Sequence, residues 1–329
     1  MSAYKNAKVL ITGGLGFIGS NLGRELVSQE AKVTLVDSLM THYGGNKFNI
    51  DDFRDEVSVK ICDVRDSFAM AALIQDQDYL FNLAGQTSHL DSMTDPHTDL
   101  DINAAAQLSI LEVCRKENPD IKIVFASTRQ LYGRPDYLPV DEKHPIRPVD
   151  VNGINKLAGE WYHLLYNNVY GIRACALRLT NTYGPGMRVK DARQTFLGIW
   201  IRLLLEGKPI KVFGDGKQLR DFNFVDDCVE ALLLAGENNN ANGKVYNLGS
   251  SEIIGLSDLA EIMVNLGVSG NYELGPFPAD RKAIDIGDYY SDYSLITKEL
   301  GWVPKIDLKE GLKRTLNYYR AHFSHYWDK

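Results

Sequence analysis

The stretch ITGGLGFIGSNL, residues 11–22, constrains the fold more than any other part of the chain. It sets Gly13, Gly16 and Gly19 in a G-x-x-G-x-x-G turn between an apolar, strand-like run and a helical pattern. Glycines permit the tight turn and the close approach of backbone, and the free amides at the helix start suit a pyrophosphate. A lone glycine triplet is weak evidence, but Asp37 ends the next apolar run about 20 residues on, where a ribose-hydroxyl acceptor belongs. A carboxylate there repels a 2′-phosphate, so NAD is expected rather than NADP. Asp63, in CDVRD at the end of a third run and followed by Val64, is positioned to accept from an adenine amino group; a surface turn is the other reading.

KVLITG, KVTLVDS, VSVKICDV, YLFNLAG and IKIVFAS alternate with helical patterns, which implies βαβ units and a parallel sheet. The expected fold class is α/β: a doubly wound parallel sheet of the Rossmann kind with a second, smaller substrate-binding lobe. Helices are expected over 97–117 and 153–168, and a strand over 172–179. The NAD-binding domain is then residues 1–180, with a segment at about 222–250 returning to it, and residues 181–329 mainly form the second lobe. Loops such as 187–196 and 272–290 are expected to select the substrate. No internal repeat or low-complexity tract is visible.

A formal net charge of −7 over 329 residues argues against a nucleic-acid surface, which needs clustered Lys and Arg. It leaves room for a small anionic ligand held by a few placed arginines. Cys62, Cys114, Cys175 and Cys228 form no C-x-x-C pair and read as free thiols. The start MSAYKNAKVLITGG enters a strand almost at once, and no apolar run approaches the about 18 residues of a membrane span. A cytoplasmic protein with no membrane partner is expected, and the histidines show no spacing that suggests a metal site.

TGGLGFIG, CDVRD, NLAG, FASTRQLYG, NKLAGE, LRLTNTYGPG and GDGKQLRDFNFVDD occur in one order. Together they resemble the extended short-chain dehydrogenase/reductases, specifically the nucleotide-sugar epimerase and dehydratase branch. The match runs from about residue 7 to ELGW at 299–302. The resemblance implies NAD as cofactor and a nucleoside-diphosphate sugar as substrate. It places the backbone amides of Phe17 and Ile18 on the pyrophosphate, Leu83, Ala84 and Gly85 beside the nicotinamide ribose, and Asn181, Arg220 and Arg281 on the sugar nucleotide and its diphosphate. An ordinary ion pair with Asp221 or Asp226 is the other reading for Arg220. Helices 97–117 and 153–168 resemble those that form a four-helix homodimer interface in the family.

The same resemblance implies a working set of Thr128, a Tyr and Lys156, with the lysine charge lowering the phenol pKa so that the phenolate removes a hydroxyl proton. Asn152 occupies the Tyr position, four residues before Lys156. An amide orients a substrate but does not exchange protons near neutral pH. Where dehydratases of the branch carry Asp-Glu, this chain has Arg129 and Gln130, which argues against ordinary 4,6-dehydration. Arg129 either holds a carboxylate or enolate oxygen or pairs with a nearby acid. Proton handling then passes to His89 in QTSHLDSM, to Lys156 through water, or to a substrate group; a structural role for His89 stays open. The expected activity is an NAD-dependent nucleotide-sugar epimerase in glycoconjugate or polysaccharide synthesis. A keto-sugar epimerase acting by enolisation and a silent nucleotide-sugar or NAD-binding subunit are the alternatives.

Overall fold

The computed structural model describes residues 2–40, 43–191, 195–266 and 270–327. Its strands, in chain order, are β1 (Lys8–Thr12), β2 (Lys32–Asp37), β3 (Ser58–Ile61), β4 (Tyr79–Asn82), β5 (Lys122–Thr128), β6 (Arg173–Leu179), β7 (Asn181–Tyr183), β8 (Ile210–Phe213), β9 (Leu219–Phe224), β10 (Val245–Asn247), β11 (Ile253–Gly255) and β12 (Tyr272–Gly275). Seven of them form one parallel sheet in the order β10-β6-β5-β4-β1-β2-β3. The fold is α/β and doubly wound. Residues of β1 and β5 are buried almost throughout, as expected of parallel strands covered on both faces.

The covering helices are α1 (Phe17–Ser28), α2 (Ser67–Ile74), α3 (His89–Thr94), α4 (Pro96–Leu100), α5 (Ala106–Glu117), α6 (Val151–Tyr170), α7 (Phe196–Leu205) and α8 (Val225–Glu237). α1 packs on α8 over one face, burying Leu22, Leu26, Cys228 and Leu232 with Val9, Ile11 and Phe81. α2, α5 and α6 cover the other, burying Met70, Ile74, Ile110, Leu111 and Tyr166 with Leu10, Leu80 and Ile123. Strand order reverses between β1 and β4, so a crevice opens at their carboxyl ends, where ligands bind in open α/β sheets.

The expected helix over 97–117 runs from Pro96 to Glu117 with one π-helical turn inside it. α4 ends at Leu100, a π-helical turn spans Asp101–Ala105, and α5 resumes at Ala106. The π-turn packs closely on α6: a Cβ on Gly159 would stand 2.7 Å from the Asn103 carbonyl oxygen. The wider turn also sends the Asn103 amide to the Gln86 carbonyl at 2.9 Å.

β10, which follows α8, joins the edge of the large sheet beside β6. β7, β9 and β11 make a three-stranded sheet, and β8 pairs with β12. Asp221 ties these parts together. Its carboxylate accepts from the Thr180 hydroxyl at 2.6 Å and the Ser291 amide at 3.0 Å, while its carbonyl accepts from Asn181 at 2.9 Å. No described helix is long and apolar enough to cross a membrane.

Candidate active site

One cavity of about 520 Å³ lies at the carboxyl ends of the sheet and opens toward β9 and the 277–286 segment. Every residue singled out from the sequence lines it, from Gly13, Gly16, Phe17, Ile18 and Gly19 to Asn181, Arg220 and Arg281. Of the loops expected to select substrate, Met187, Thr195, Phe196, Phe277, Arg281 and Asp285 also face it; residues 192–194 lie outside the described residues.

At one end, Gly13 has φ +68°, and a Cβ on Gly19 would stand 2.2 Å from the Gly13 carbonyl oxygen, so a side chain at either position would break the turn. α1 begins at Phe17 with Gly16 as its N-cap and no capping side chain, leaving first-turn amides directed at the cavity. The Asp37 carboxylate caps the loop by accepting from the amides of Leu15 at 3.1 Å and Leu39 at 2.9 Å. Burial raises its pKa against those two hydrogen bonds. Asp63 is engaged differently from a free acceptor: Arg65 binds both of its oxygens, at 2.7 Å for the shortest contact, and holds its carboxyl below the usual range. The buried Val64 side chain follows it. These features fit a dinucleotide: a glycine cradle, bare helix amides and a carboxylate at the cavity wall.

On the other wall, the Thr12 hydroxyl accepts from the Leu83 amide at 3.0 Å and the Ala84 amide at 3.1 Å, and donates to Asn82 at 2.9 Å. Asn82 reaches His163 Nε2 at 3.3 Å, and His163 Nδ1 meets the Gly159 carbonyl at 2.7 Å. Burial lowers the His163 pKa to about 4, so the ring is neutral and donates from Nδ1. Lys156 Nζ donates to the Ala126 carbonyl at 3.1 Å and sits over the Phe125 ring. Gly85 makes room for it, since a Cβ there would be 2.7 Å from Nζ. Burial lowers the Lys156 pKa to about 8, with Asp99 acting in the opposite direction.

Asn152 is buried, and its Nδ2 bridges the Gln86 carbonyl at 2.7 Å and Asp99 Oδ2 at 3.0 Å. Asn155 donates to the other oxygen of Asp99 at 2.8 Å. The Asn152 amide is thus a clamp between α4, α6 and the loop after β4. Two residues earlier, Asp150 caps α6 by accepting from the Gly153 amide at 2.7 Å. It also accepts from Gln130 at 2.9 Å, and His89 Nδ1 lies 2.9 Å from its Oδ2. That approach is within ion-pair range but bent away from a straight hydrogen bond. Burial would raise the Asp150 pKa, yet His89, Gly153 and Gln130 together hold it below the ordinary value. A histidine steered by a buried carboxylate at a cavity wall is the arrangement proton transfer uses.

Thr128 ends β5 and accepts from the Gln130 amide at 3.2 Å. Next to it, Arg129 Nη2 donates to Asn181 Oδ1 at 2.9 Å, and the guanidinium lies over the Tyr289 ring. Arg220 is buried, which excludes the surface ion pair with Asp221 or Asp226; its nearest carboxylate is Asp285 at 3.9 Å. Burial and the neighbouring Arg129 charge bring its pKa down to about 10. Arg281 is half-buried over Phe213.

Residues 9–249 match the NAD dependent epimerase/dehydratase family, well over half of the chain. The chain belongs to that family. Among its epimerase/dehydratase relatives is a putative UDP-glucose 4-epimerase of Methanocaldococcus jannaschii, 37% identical over 315 residues that cover 94% of this chain and 97% of the relative. An epimerase structure from Methanothermobacter thermautotrophicus superposes with a TM-score of 0.91 at 25% identity, covering 98% of this chain and 94% of that one. A UDP-glucuronic acid 4-epimerase from Bacillus cereus, solved with UDP-glucuronic acid and NAD, gives 0.85 at 27% identity, covering 95% and 99%.

Sequence reasoning passed over Asp99, Asp150 and Gln86. The signal for Asp150 was present, an Asp three residues before Gly153 at the start of a helical pattern, which is an N-cap signature. Asp99 carried no such signal; only the packing of α4 on α6 brings it to Asn152.

Proposed function

We propose that this epimerase/dehydratase family member is an NAD-dependent nucleoside-diphosphate-sugar epimerase of glycoconjugate or polysaccharide synthesis in which the His89–Asp150 pair handles the proton. The observation that carries the reading is the single cavity that joins the glycine turn and Asp37 to Thr128, Lys156 and His89, with three arginines beyond them. Gly13, Gly16, Phe17, Ile18, Gly19 and Asp37 hold the dinucleotide, with Asp63 and Val64 toward its base and Leu83, Ala84, Gly85 and Lys156 toward its nicotinamide. NAD supplies a hydride acceptor and donor when bound.

The chain's own residues do the rest. Thr128 holds the sugar hydroxyl. His89 Nε2 takes the hydroxyl proton, and Asp150 stabilises the imidazolium that results. Returning that proton as the hydroxyl re-forms completes the inversion. Asn152, an amide with both N–H groups committed, positions α6 and Gln86 and exchanges no proton. Lys156, held to Ala126 in the dry end, orients the ribose and adds positive charge near the reacting carbon. Asn181, Arg220 and Arg281 bind the sugar nucleotide and its diphosphate; the Methanocaldococcus jannaschii and Bacillus cereus relatives are named for UDP-sugars, which makes UDP the first nucleotide to test.

A homodimer is part of the proposal. Ile154, Trp161 and Leu165 on α6 are 53%, 58% and 51% exposed at spacings of seven and four residues, one apolar stripe beside Leu108 of α5. Four unpaired cysteines fit a cytoplasmic location.

Proton NMR of the purified protein with NAD and a panel of UDP-, dTDP-, GDP- and CDP-sugars in heavy water tests the reading. A new epimer without deuterium at the inverted carbon supports it. Protein that retains no NAD(H) and binds none in calorimetry refutes it.

A further inference from the structure

Arg129 is a half-buried cation with one buried, unused donor. Its Nη1 is shielded from solvent and has no hydrogen-bond partner among the described residues, although the side chain lines the cavity. Nη2 is spent on the neutral Asn181 oxygen, and the ring beneath the guanidinium belongs to Tyr289. A buried donor without a partner costs free energy that a native fold normally avoids, and a charged donor costs more.

The nearby carboxylates do not meet this need. Asp221 is committed to Thr180 and Ser291. Asp150 holds Gly153, Gln130 and His89. Asp285 accepts from Gln218 through both oxygens and from the Gly287 amide. Arg220 adds a second guanidinium whose charge opposes that of Arg129, while its own Nη1 is occupied by the carbonyls of Leu219 and Gly287. Each of these carboxylates is thus already engaged, and the unused donor of this wall is on Arg129.

Position says which anion completes it. Arg129 directly follows Thr128 and precedes Gln130, whose side chain holds Asp150 and, through it, His89. The cation thus sits beside the residues to which the proposed reaction is assigned, and not on the loop that carries Arg281. A guanidinium offers parallel donors that match a carboxylate.

We propose that Arg129 is a subsite for a carboxylate on the sugar ring, so that the substrate is an acidic, uronate-type nucleoside-diphosphate sugar. This rests on the function proposed above and deepens it by naming the substrate class. Neutral sugars leave the Nη1 donor unpaired and bind more weakly.

The test is isothermal titration calorimetry of the full chain saturated with NAD, titrated with UDP, UDP-glucose and UDP-glucuronate, for the wild type and Arg129→Met. The wild type is expected to bind UDP-glucuronate about 10- to 100-fold more tightly than UDP-glucose, the range of a hydrogen bond to a charged partner. Arg129→Met is expected to abolish that preference and to leave the affinity for UDP alone unchanged within about twofold. Retained NAD and an unchanged circular dichroism spectrum report that the variant is folded. Equal affinity of the wild type for the two sugars overturns the subsite while leaving the nucleotide-sugar reading intact. Loss of UDP affinity in a folded, NAD-bearing Arg129→Met variant also overturns it, since Arg129 then serves the diphosphate. Wild-type protein that binds NAD but neither UDP nor either sugar nucleotide overturns both readings.

Discussion

His89 Nδ1 stands 2.9 Å from Oδ2 of Asp150, a carboxylate that has no exposed side-chain surface and also caps the helix bearing Asn152 and Lys156. One residue thereby fixes both the start of α6 and the direction of an imidazole. His89→Ala is expected to lower kcat by about 10²- to 10⁴-fold, the usual worth of a general acid–base group. Asp150→Asn keeps a good N-cap, so its stability should stay within about 1 kcal/mol of wild type while kcat falls and KM changes little. Steady-state kinetics with urea unfolding on the same samples separates the two effects. An unchanged kcat in His89→Ala would move proton handling to Lys156 or the substrate.

The glycine turn was legible because its residues act through backbone geometry that few other sequences tolerate: Gly13 needs φ +68°, and Gly19 has no room for a Cβ. The sheet was legible for a related reason, since parallel strands buried on both faces read as apolar runs. What could not be read were contacts between side chains far apart in sequence. Asp99 meets Asn152 across 53 positions, and only the packing of α4 on α6 creates that pair. The π-helical turn at Asp101–Ala105 was equally hidden, because it packs against Gly159 on another helix and that neighbour cannot be read from the segment itself.

Asn152→Ala removes an amide that satisfies two buried acceptors. The Gln86 carbonyl keeps the Asn103 amide as a donor, so the group left without a partner is Asp99 Oδ2, at an expected cost of about 1–3 kcal/mol of stability. The rate should fall by less than about tenfold, since the amide exchanges no proton. Denaturant unfolding and steady-state rates check the two halves. A loss of kcat comparable to that of His89→Ala would give Asn152 a direct part in the chemistry.

Lys156 has its pKa lowered by burial from 10.5 to about 8. Between those values the unfolded chain holds a proton that the folded chain has lost, so this group makes stability rise with pH and costs most below pH 8. Lys156→Met should therefore be more stable than wild type at pH 7, by on the order of 1–3 kcal/mol, with the advantage shrinking toward pH 10.5. Urea midpoints measured without added NAD at pH 7, 9 and 10 check the slope of the difference. A difference that does not change with pH would mean that the lysine is not desolvated.

The stripe of Ile154, Trp161 and Leu165 predicts self-association. Wild-type protein at micromolar concentration should scatter light as a dimer, and Trp161→Glu as a monomer with its circular dichroism unchanged. A wild-type monomer would reject the interface.

The buried relay from the Leu83 and Ala84 amides through Thr12 and Asn82 to His163 has a use beyond stability. His163 Nδ1 donates to the Gly159 carbonyl, so the imidazole is held as a single tautomer, with its Nε2 lone pair on the Asn82 amide, whose other hydrogen goes to Gln107. The nitrogen-15 resonances of that ring are a built-in spectroscopic gauge of the loop at residues 83–85. Nicotinamide docking there should register at His163, a residue sealed inside the protein, without any label on the ligand.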